Sequence, residues 1–204
     1  MGKKDSGRRK FTRPLGNRRY RKLFVIATEG NKTEPQYFAL FNDQKSVIWV
    51  HCLKSNHGSS PKQVLKRMEN YLRENGLKLN SSDEAWLVVD KDRWTDEQLA
   101  ELHAWALSKE NYGFALSNPK FEYWLLLHFE DGNNITSALG CSRRLKKYLP
   151  DYDKGIPAHL FTPERINQAV QRAKNRDQPP CVDWPRKTGS TVYRLIERIR
   201  ESTP

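Results

Sequence analysis

Short, unbroken apolar runs constrain the fold of this chain more than any other feature of its sequence. Residues 23–27 and 85–89 lack the polar alternation of a strand with one solvent-facing side, so each predicts a strand buried on both faces. Residues 47–53, rich in β-branched and aromatic side chains, and the short run 114–116 are further strand candidates. A helix-like segment follows each run. This order predicts an α/β fold with a mostly parallel sheet flanked by helices.

Local signals mark where several helices begin. Ser60 and Thr95 have the pattern of helix N-caps, and Thr33 is expected to cap a helix near Pro35. The segment 121–129 is apolar enough to predict deep burial, with His128 as a buried hydrogen-bonding residue.

The chain after Asp131 carries no comparable strand signal. Residues 142–149, 163–175 and 189–200 look helical instead, which predicts a helical C-terminal region packed on the sheet. We therefore expect three parts: a basic flexible arm (residues 1–22), an α/β domain (residues 23–130) and a helical C-terminal extension (residues 131–204).

Positive charge is concentrated at the N-terminus. The 204 residues include 36 Lys and Arg and 24 Asp and Glu, and residues 1–22 contain ten of the basic residues and one acid. Such a stretch cannot bury enough surface to order itself, so we expect a flexible arm that binds the phosphates of nucleic acids; a solubility tail is the alternative. The candidate contacts in this arm are Arg8, Arg9, Lys10, Arg18, Arg19 and Arg21.

Composition excludes several classes of protein. No apolar stretch approaches the roughly 20 residues of a membrane span, and the basic N-terminus lacks the apolar core of a secretory signal. The three cysteines, Cys52, Cys141 and Cys181, are widely spaced, which argues against a disulfide framework or a thiolate zinc site. We expect a cytoplasmic protein with no membrane association.

Acidic residues follow three of the predicted strands. Glu29 ends the first, Asp90 and Asp92 end the third, and Glu122 lies in the first turn of the helix after the fourth. Because the carboxyl ends of parallel strands share one edge of a sheet, we expect these carboxylates to meet there, with Asp90 and Asp92 on one side of an extended segment. Crowded carboxylates favour a hard divalent cation such as Mg²⁺ or Mn²⁺. Ordinary capping by acidic side chains is the alternative interpretation.

Three motifs together resemble the RloB family, whose α/β domain is similar to the TOPRIM domain of topoisomerases and primases. The first motif is Val25-Ile-Ala-Thr-Glu29-Gly30 followed by Thr33-Glu34, the second is Asp90-x-Asp92-x-Trp94, and the third is Ser117-Asn-Pro-Lys-Phe-Glu122-x-Trp124. The resemblance implies a TOPRIM-like fold and a divalent-metal-dependent nuclease in anti-phage defence. It also implies an ATPase partner of the ABC or structural-maintenance type.

Roles for single residues follow from the same resemblance. Glu29, Asp90 and Asp92 would be catalytic metal ligands, and Glu34 and Glu122 would be additional ligands for Mg²⁺ or Mn²⁺. Lys120 would be catalytic by stabilising charge on the phosphate. Trp94 would either stack on a base of the bound nucleic acid or cover the edge of the sheet.

Two other functions remain compatible with the sequence. The first is a non-catalytic nucleic-acid or partner-binding module on the same scaffold, because a fold does not guarantee an activity. The second is a nucleotide-sugar transferase, since such enzymes use an Asp-x-Asp motif after a strand, although this explains neither Glu29-Gly30 nor the basic arm. DNA and RNA, including transfer RNA, stay open as substrates of the nuclease.

Overall fold

The computed structural model describes residues 22–42, 48–54, 60–75, 82–92, 94–152 and 155–202. Its centre is a five-stranded sheet in the order β2-β1-β3-β4-β5. Strands β1 to β4 are parallel to one another, and β5 is antiparallel to β4. The strands are β1 (Lys22–Thr28), β2 (Ile48–Leu53), β3 (Glu84–Asp90), β4 (Tyr112–Asn118) and β5 (Gly189–Ser190). The predicted nucleic-acid contacts Arg8, Arg9, Lys10, Arg18, Arg19 and Arg21 lie outside the described residues.

Within the described ranges, α-helices cover the sheet on both faces. They are α1 (Thr33–Ala39), α2 (Pro61–Glu74), α3 (Asp96–Leu107), α4 (Phe121–Leu126), α5 (Ala138–Leu145), α6 (Pro163–Arg176) and α7 (Val192–Glu201), with a short 3-10 helix at Ala158–Leu160. Ser60 and Thr95 cap α2 and α3 as predicted, each in a capping box. Thr33 does not cap α1 but forms its first residue, so its hydroxyl is available for other contacts. No helix among the described residues combines the length and apolar composition that a membrane crossing requires.

Alternate residues of each central strand face two separate cores. Phe24 and Ile26 of β1 point into one core, which α1 and α4 to α7 complete, whereas Val25 and Ala27 point into the other, beneath α2 and α3. Both faces are therefore buried, which is why the strands have no polar alternation. The predicted α/β fold with a mostly parallel sheet is confirmed.

The C-terminal region contributes a strand as well as helices. Ser190 pairs with Ser117 in the ladder, and the two hydroxyl groups are 2.9 Å apart. The predicted helical C-terminal region is confirmed, and this strand within it gives no sequence signal because two residues are too few for a recognisable strand pattern. This β5 strand fixes the start of α7 beside β4.

The amino end of the sheet holds a buried carboxylate with cationic partners. Oε1 of Glu84 accepts from Nζ of Lys22 and Nη2 of Arg198, both at 2.6 Å, and Oε2 accepts from Nε1 of Trp86 at 2.8 Å. Burial would raise the pKa of Glu84, but the hydrogen bonds from these three groups lower it below its ordinary value. Lys22 therefore belongs to β1, although the sequence placed it at the end of the basic arm.

His128 lies in an aromatic part of the first core. Its Nδ1 lies 3.0 Å from the carbonyl of Trp124, and its Nε2 lies 3.1 Å from the hydroxyl of Tyr37. A carbonyl can only accept, so Nδ1 carries the proton and Nε2 accepts from Tyr37. Burial lowers the pKa of His128 to about 3, and the prediction of a buried hydrogen-bonding histidine is confirmed.

Candidate active site

The carboxyl ends of β1, β3 and β4 bring the predicted acidic residues together. The backbone N–H of Glu29 donates to the carbonyl of Val88 at 3.0 Å, which continues the β1–β3 ladder one residue beyond the strand. On the other side, Asp90 pairs with Ser117 of β4. Glu29 and Asp90 are therefore side by side on neighbouring strands, at the edge where an open parallel sheet places its ligand sites.

Glu29 is held by one hydrogen bond to each carboxylate oxygen. The backbone N–H of Asp90 donates to Oε2 at 3.1 Å, and Nε1 of Trp94 donates to Oε1 at 3.0 Å. Burial raises the pKa of Glu29 to about 7 against the opposing effect of these two hydrogen bonds, with further contributions from Glu34 and Asp92. Trp94, predicted to stack on a base or to cover the sheet edge, orients Glu29 in this structure.

Glu34 reaches the same edge from the first turn of α1. The side chain is 5 % exposed, and its Oε1 accepts from the backbone N–H of Gly30 at 3.0 Å. A Cβ atom on Gly30 would lie 2.1 Å from Oε2 of Glu34, so this glycine leaves the space that the carboxylate occupies. Burial, followed by the charge of Glu122, raises the pKa of Glu34.

Asp90 is electrostatically coupled to three other acids. Burial raises its pKa well above the ordinary value, and the charges of Glu34, Glu29 and Glu122 raise it further. We call Glu29, Glu34, Asp90 and Glu122 the acidic cluster. The charges within this cluster raise the pKa values of Glu29, Glu34 and Asp90, as expected for carboxylates gathered close together.

Asp92 lies at the margin of this cluster. The chain leaves the extended conformation after β3: Asp92 has a φ of +27°, and its backbone N–H donates to the carbonyl of Pro119 at 2.9 Å. Asp92 is exposed, and it contributes to the raised pKa of Glu29. The expectation that Asp90 and Asp92 share one side of an extended segment is wrong, because the second residue sits in a turn.

Glu122 is oriented by two partners from different parts of the chain. Nζ of Lys120 and the hydroxyl of Tyr152 approach its Oε1 at 3.2 and 3.0 Å. The Tyr152 oxygen is also 3.0 Å from the hydroxyl of Thr33, and because a carboxylate only accepts, Thr33 donates to Tyr152 and Tyr152 donates to Glu122. The sequence does not predict that Tyr152 and Thr33 support Glu122, since 119 positions separate them and no spacing rule links them.

The acidic cluster differs in its cationic partners from Glu84, the buried acid at the opposite end of the sheet. Across the described part of the chain, no Lys or Arg forms an ion pair with Glu29, Glu34 or Asp90, and Lys120 pairs with Glu122 alone. A donor set made of carboxylates suits a hard cation such as Mg²⁺ or Mn²⁺ rather than zinc. Within the described ranges, no three His, Cys, Asp or Glu side chains stand in a ready-made metal-binding arrangement. Glu29, Glu34 and Glu122 instead accept hydrogen bonds from protein donors.

Comparison with known proteins identifies the family. No curated protein and no solved structure matches the chain. The family model described as RloB-like protein matches residues 24–199, which run from β1 into α7 and include the whole acidic cluster. The match spans most of the chain, and the protein therefore belongs to the family of RloB-like proteins.

Proposed function

We propose that this protein is a divalent-metal-dependent nuclease of the TOPRIM type that hydrolyses phosphodiester bonds of DNA or RNA in anti-phage defence. The observation that carries the proposal is the acidic cluster at the carboxyl edge of the sheet, where Glu29 and Asp90 are partly buried, form no ion pair with the described Lys and Arg side chains, and have raised pKa values. A fold tolerates such an arrangement at a cost in stability, and perturbed carboxylates of this kind concentrate at functional sites.

The residues of the cluster fit a bound Mg²⁺ or Mn²⁺ by their chemistry. Glu29 and Asp90 would hold the ion, with Glu34 and Glu122 as further oxygen donors and Asp92 at the exposed side. The ion would acidify a water molecule and neutralise phosphate oxygens, which is the chemistry that phosphodiester hydrolysis requires. The same positive charge would return the carboxyl groups of the cluster to their ionised form.

Other side chains in the site prepare the cluster for this role. Trp94 and the backbone of Asp90 fix the two oxygens of Glu29, and Tyr152 fixes Glu122. Fixed carboxylates lose little conformational freedom when they bind, so their orientation favours the reactive geometry. Lys120 is 23 % exposed at its side chain, and its ammonium group would contact a phosphate oxygen that approaches Glu122.

Family membership motivates two further elements of the proposal. The partner is an ATPase of the ABC or structural-maintenance type, as the family resemblance implies. The basic residues of the N-terminal arm supply sequence-independent attraction for the polynucleotide. Both elements belong in the assay, because an enzyme that acts in defence is useful to the cell only when its activity is controlled.

The test is cleavage by the purified protein, with and without an ATPase of the proposed partner type. Labelled DNA and RNA are incubated with Mg²⁺ or Mn²⁺, and Glu29→Gln and Asp90→Asn are compared with Glu101→Gln, which changes an exposed glutamate of α3. We expect metal-dependent cleavage that the first two substitutions abolish and the third leaves intact. Calorimetric titration with Mn²⁺ provides a readout independent of activity, and Glu29→Gln should weaken that binding.

Two results would contradict the proposal. Cleavage that Glu29→Gln and Asp90→Asn leave unchanged would place the activity elsewhere or in a contaminant. Absence of cleavage and of Mn²⁺ binding, together with salt-sensitive nucleic-acid binding that survives both substitutions, would identify the protein as a non-catalytic binding module.

A further inference from the structure

A basic groove lies beside the acidic cluster on the α2 side of the sheet. It has a volume of about 450 Å³ and runs between α2 and the end of the edge strand β2. Lys54, Lys66 and Arg67 line it together with Tyr71, and we call these four residues the basic groove. A cleft of this size accommodates a unit of about one nucleotide rather than a double helix.

Strand register places this groove next to the proposed catalytic edge. Leu53 of β2 pairs with Ala27 of β1, so Lys54 lies level with Thr28, the residue before Glu29. Arg67 donates from Nη2 to the carbonyl of the same Thr28 at 2.6 Å. The Lys54 end of the groove therefore opens at the edge of the sheet that carries the acidic cluster, and the groove runs from there along α2 towards Tyr71 and Glu74.

The cations of the groove lack internal counter-ions. In the portion of the chain that the structure describes, Lys54 and Lys66 form no ion pair and are exposed. Nε of Arg67 is buried without a hydrogen-bond partner, although its Nη2 is bonded. Glu74 is the acidic residue that lines the groove, at the end of α2 away from Lys54. The groove thus offers several positively charged donors that an anion would satisfy.

Tyr71 adds an aromatic surface to these charges. Its ring is partly buried, lines the groove and lies 5.5 Å from the ring of His51, which supports it from β2. Positive side chains along a groove with an aromatic ring are the arrangement by which proteins bind single-stranded nucleic acids, because the cations contact phosphates and an unpaired base stacks on the ring.

We propose that the basic groove binds one strand of a polynucleotide, which runs along α2 from Lys54, at the edge of the acidic cluster, towards Tyr71. Lys54, Lys66 and Arg67 contact phosphate, and Tyr71 contacts the base. This inference rests on the proposed nuclease function for its biological meaning, and it specifies single-stranded rather than duplex nucleic acid as the bound form.

The experiment measures binding without catalysis. Fluorescence anisotropy of a labelled short oligothymidylate is followed with the full-length protein in EDTA, at several salt concentrations. For single strands, each phosphate contact contributes about 0.7 to the slope of log K against log salt, which is about fivefold in affinity at 0.1 M salt. The Lys54→Ala/Lys66→Ala protein should therefore bind about 25-fold more weakly, with a slope reduced by about 1.4.

Matched variants separate the groove from overall charge. Lys109→Ala/Lys174→Ala removes the same charge from the turn between α3 and β4 and from α6, and it should bind almost as well as the wild type. Glu74→Gln removes the acid of the groove and should tighten binding. Tyr71→Phe should retain affinity, whereas Tyr71→Leu should lose about fivefold or more for the single strand and little for a duplex of the same length.

Failure of this inference and failure of the proposed function give different results. The proposed binding role of the groove would be wrong if Lys54→Ala/Lys66→Ala and Lys109→Ala/Lys174→Ala lost affinity equally. It would also be wrong if Lys54→Ala/Lys66→Ala left the salt slope unchanged. Both conclusions hold whether or not Glu29→Gln abolishes cleavage. If only the groove substitutions weakened binding and the protein showed no cleavage, the binding role of the groove would stand and the proposed nuclease activity would be wrong.

Discussion

Replacing Glu29 with Gln should stabilise the protein at high pH while it removes the proposed activity. Burial raises the pKa of Glu29 from 4.5 to about 7, so the folded protein holds this proton more tightly than the unfolded chain does. The stabilising contribution is complete below pH 4.5 and is lost as the pH rises through 7. The difference between a pKa of 4.5 and one of about 7 corresponds to about 3 kcal/mol in the free energy of unfolding.

The substitution also has a cost that does not depend on pH. An amide accepts through one oxygen, so one of the two hydrogen bonds from Asp90 and Trp94 is lost, at about 1 kcal/mol. We therefore expect the Glu29→Gln protein to be more stable than the wild type by about 2 kcal/mol at pH 8 and to have nearly the wild-type stability at pH 5. The difference in free energy of unfolding therefore changes by about 2 kcal/mol between these two conditions.

Urea denaturation in EDTA, followed by tryptophan fluorescence between pH 5 and 8.5, measures this difference. The exposed Glu101→Gln variant serves as the control and should follow the wild-type profile. A constant difference between Glu29→Gln and the wild type over the whole range would show that Glu29 is ionised throughout. In that case, burial and neighbouring charges do not raise the pKa of Glu29.

Three further predictions concern residues that support the fold and the site. Tyr152→Phe removes the hydroxyl group that donates to Glu122 and should lower the free energy of unfolding by about 1 to 2 kcal/mol in urea; an unchanged midpoint would contradict the hydrogen bond. His128 has a folded pKa of about 3, below its unfolded value of 6.5, so its contribution is complete above pH 6.5 and up to about 5 kcal/mol is lost as the pH falls towards 3. His128→Asn should remove that part of the acid sensitivity, and parallel wild-type and variant curves would refute this reasoning. Glu84→Gln removes the charge of a buried carboxylate whose partners Lys22 and Arg198 are 16 % and 50 % exposed, and should destabilise the fold by about 2 kcal/mol in thermal unfolding, whereas a loss below about 1 kcal/mol would mean that solvent screens the pair.

The parallel sheet was predictable because its signals are local. Each central strand is a continuous apolar run, and Ser60 and Thr95 carry complete capping patterns within four residues. β5 was not predictable, because Gly189 and Ser190 form a strand only through pairing with β4. Its existence depends on contacts between residues more than 70 positions apart.

The acidic residues at the strand ends were predictable by the same local logic. Glu29 and Asp90 each follow a buried run, and parallel strands place their carboxyl ends together. The arrangement of the residues after the strands was not predictable. The turn at Asp92 and the hydrogen bond from the Trp94 indole depend on backbone geometry that the motif does not specify. The motif thus predicts that the acidic residues lie close together, whereas the turn determines the orientation of Asp92.

The C-terminal part of the chain is inseparable from the site. Phe121, Trp124 and Leu125 of α4 are buried in one core with residues of α5, α6 and α7, so removing those helices would expose the element that carries Glu122. Tyr152 connects the same region to Glu122 and to Thr33, the first residue of α1. A displacement of this region would therefore shift an oxygen donor of the proposed metal site without altering Glu29 or Asp90. Because the strand ends fix two acids and the helical region fixes a third, the arrangement of the cluster depends on the packing between the two parts of the chain.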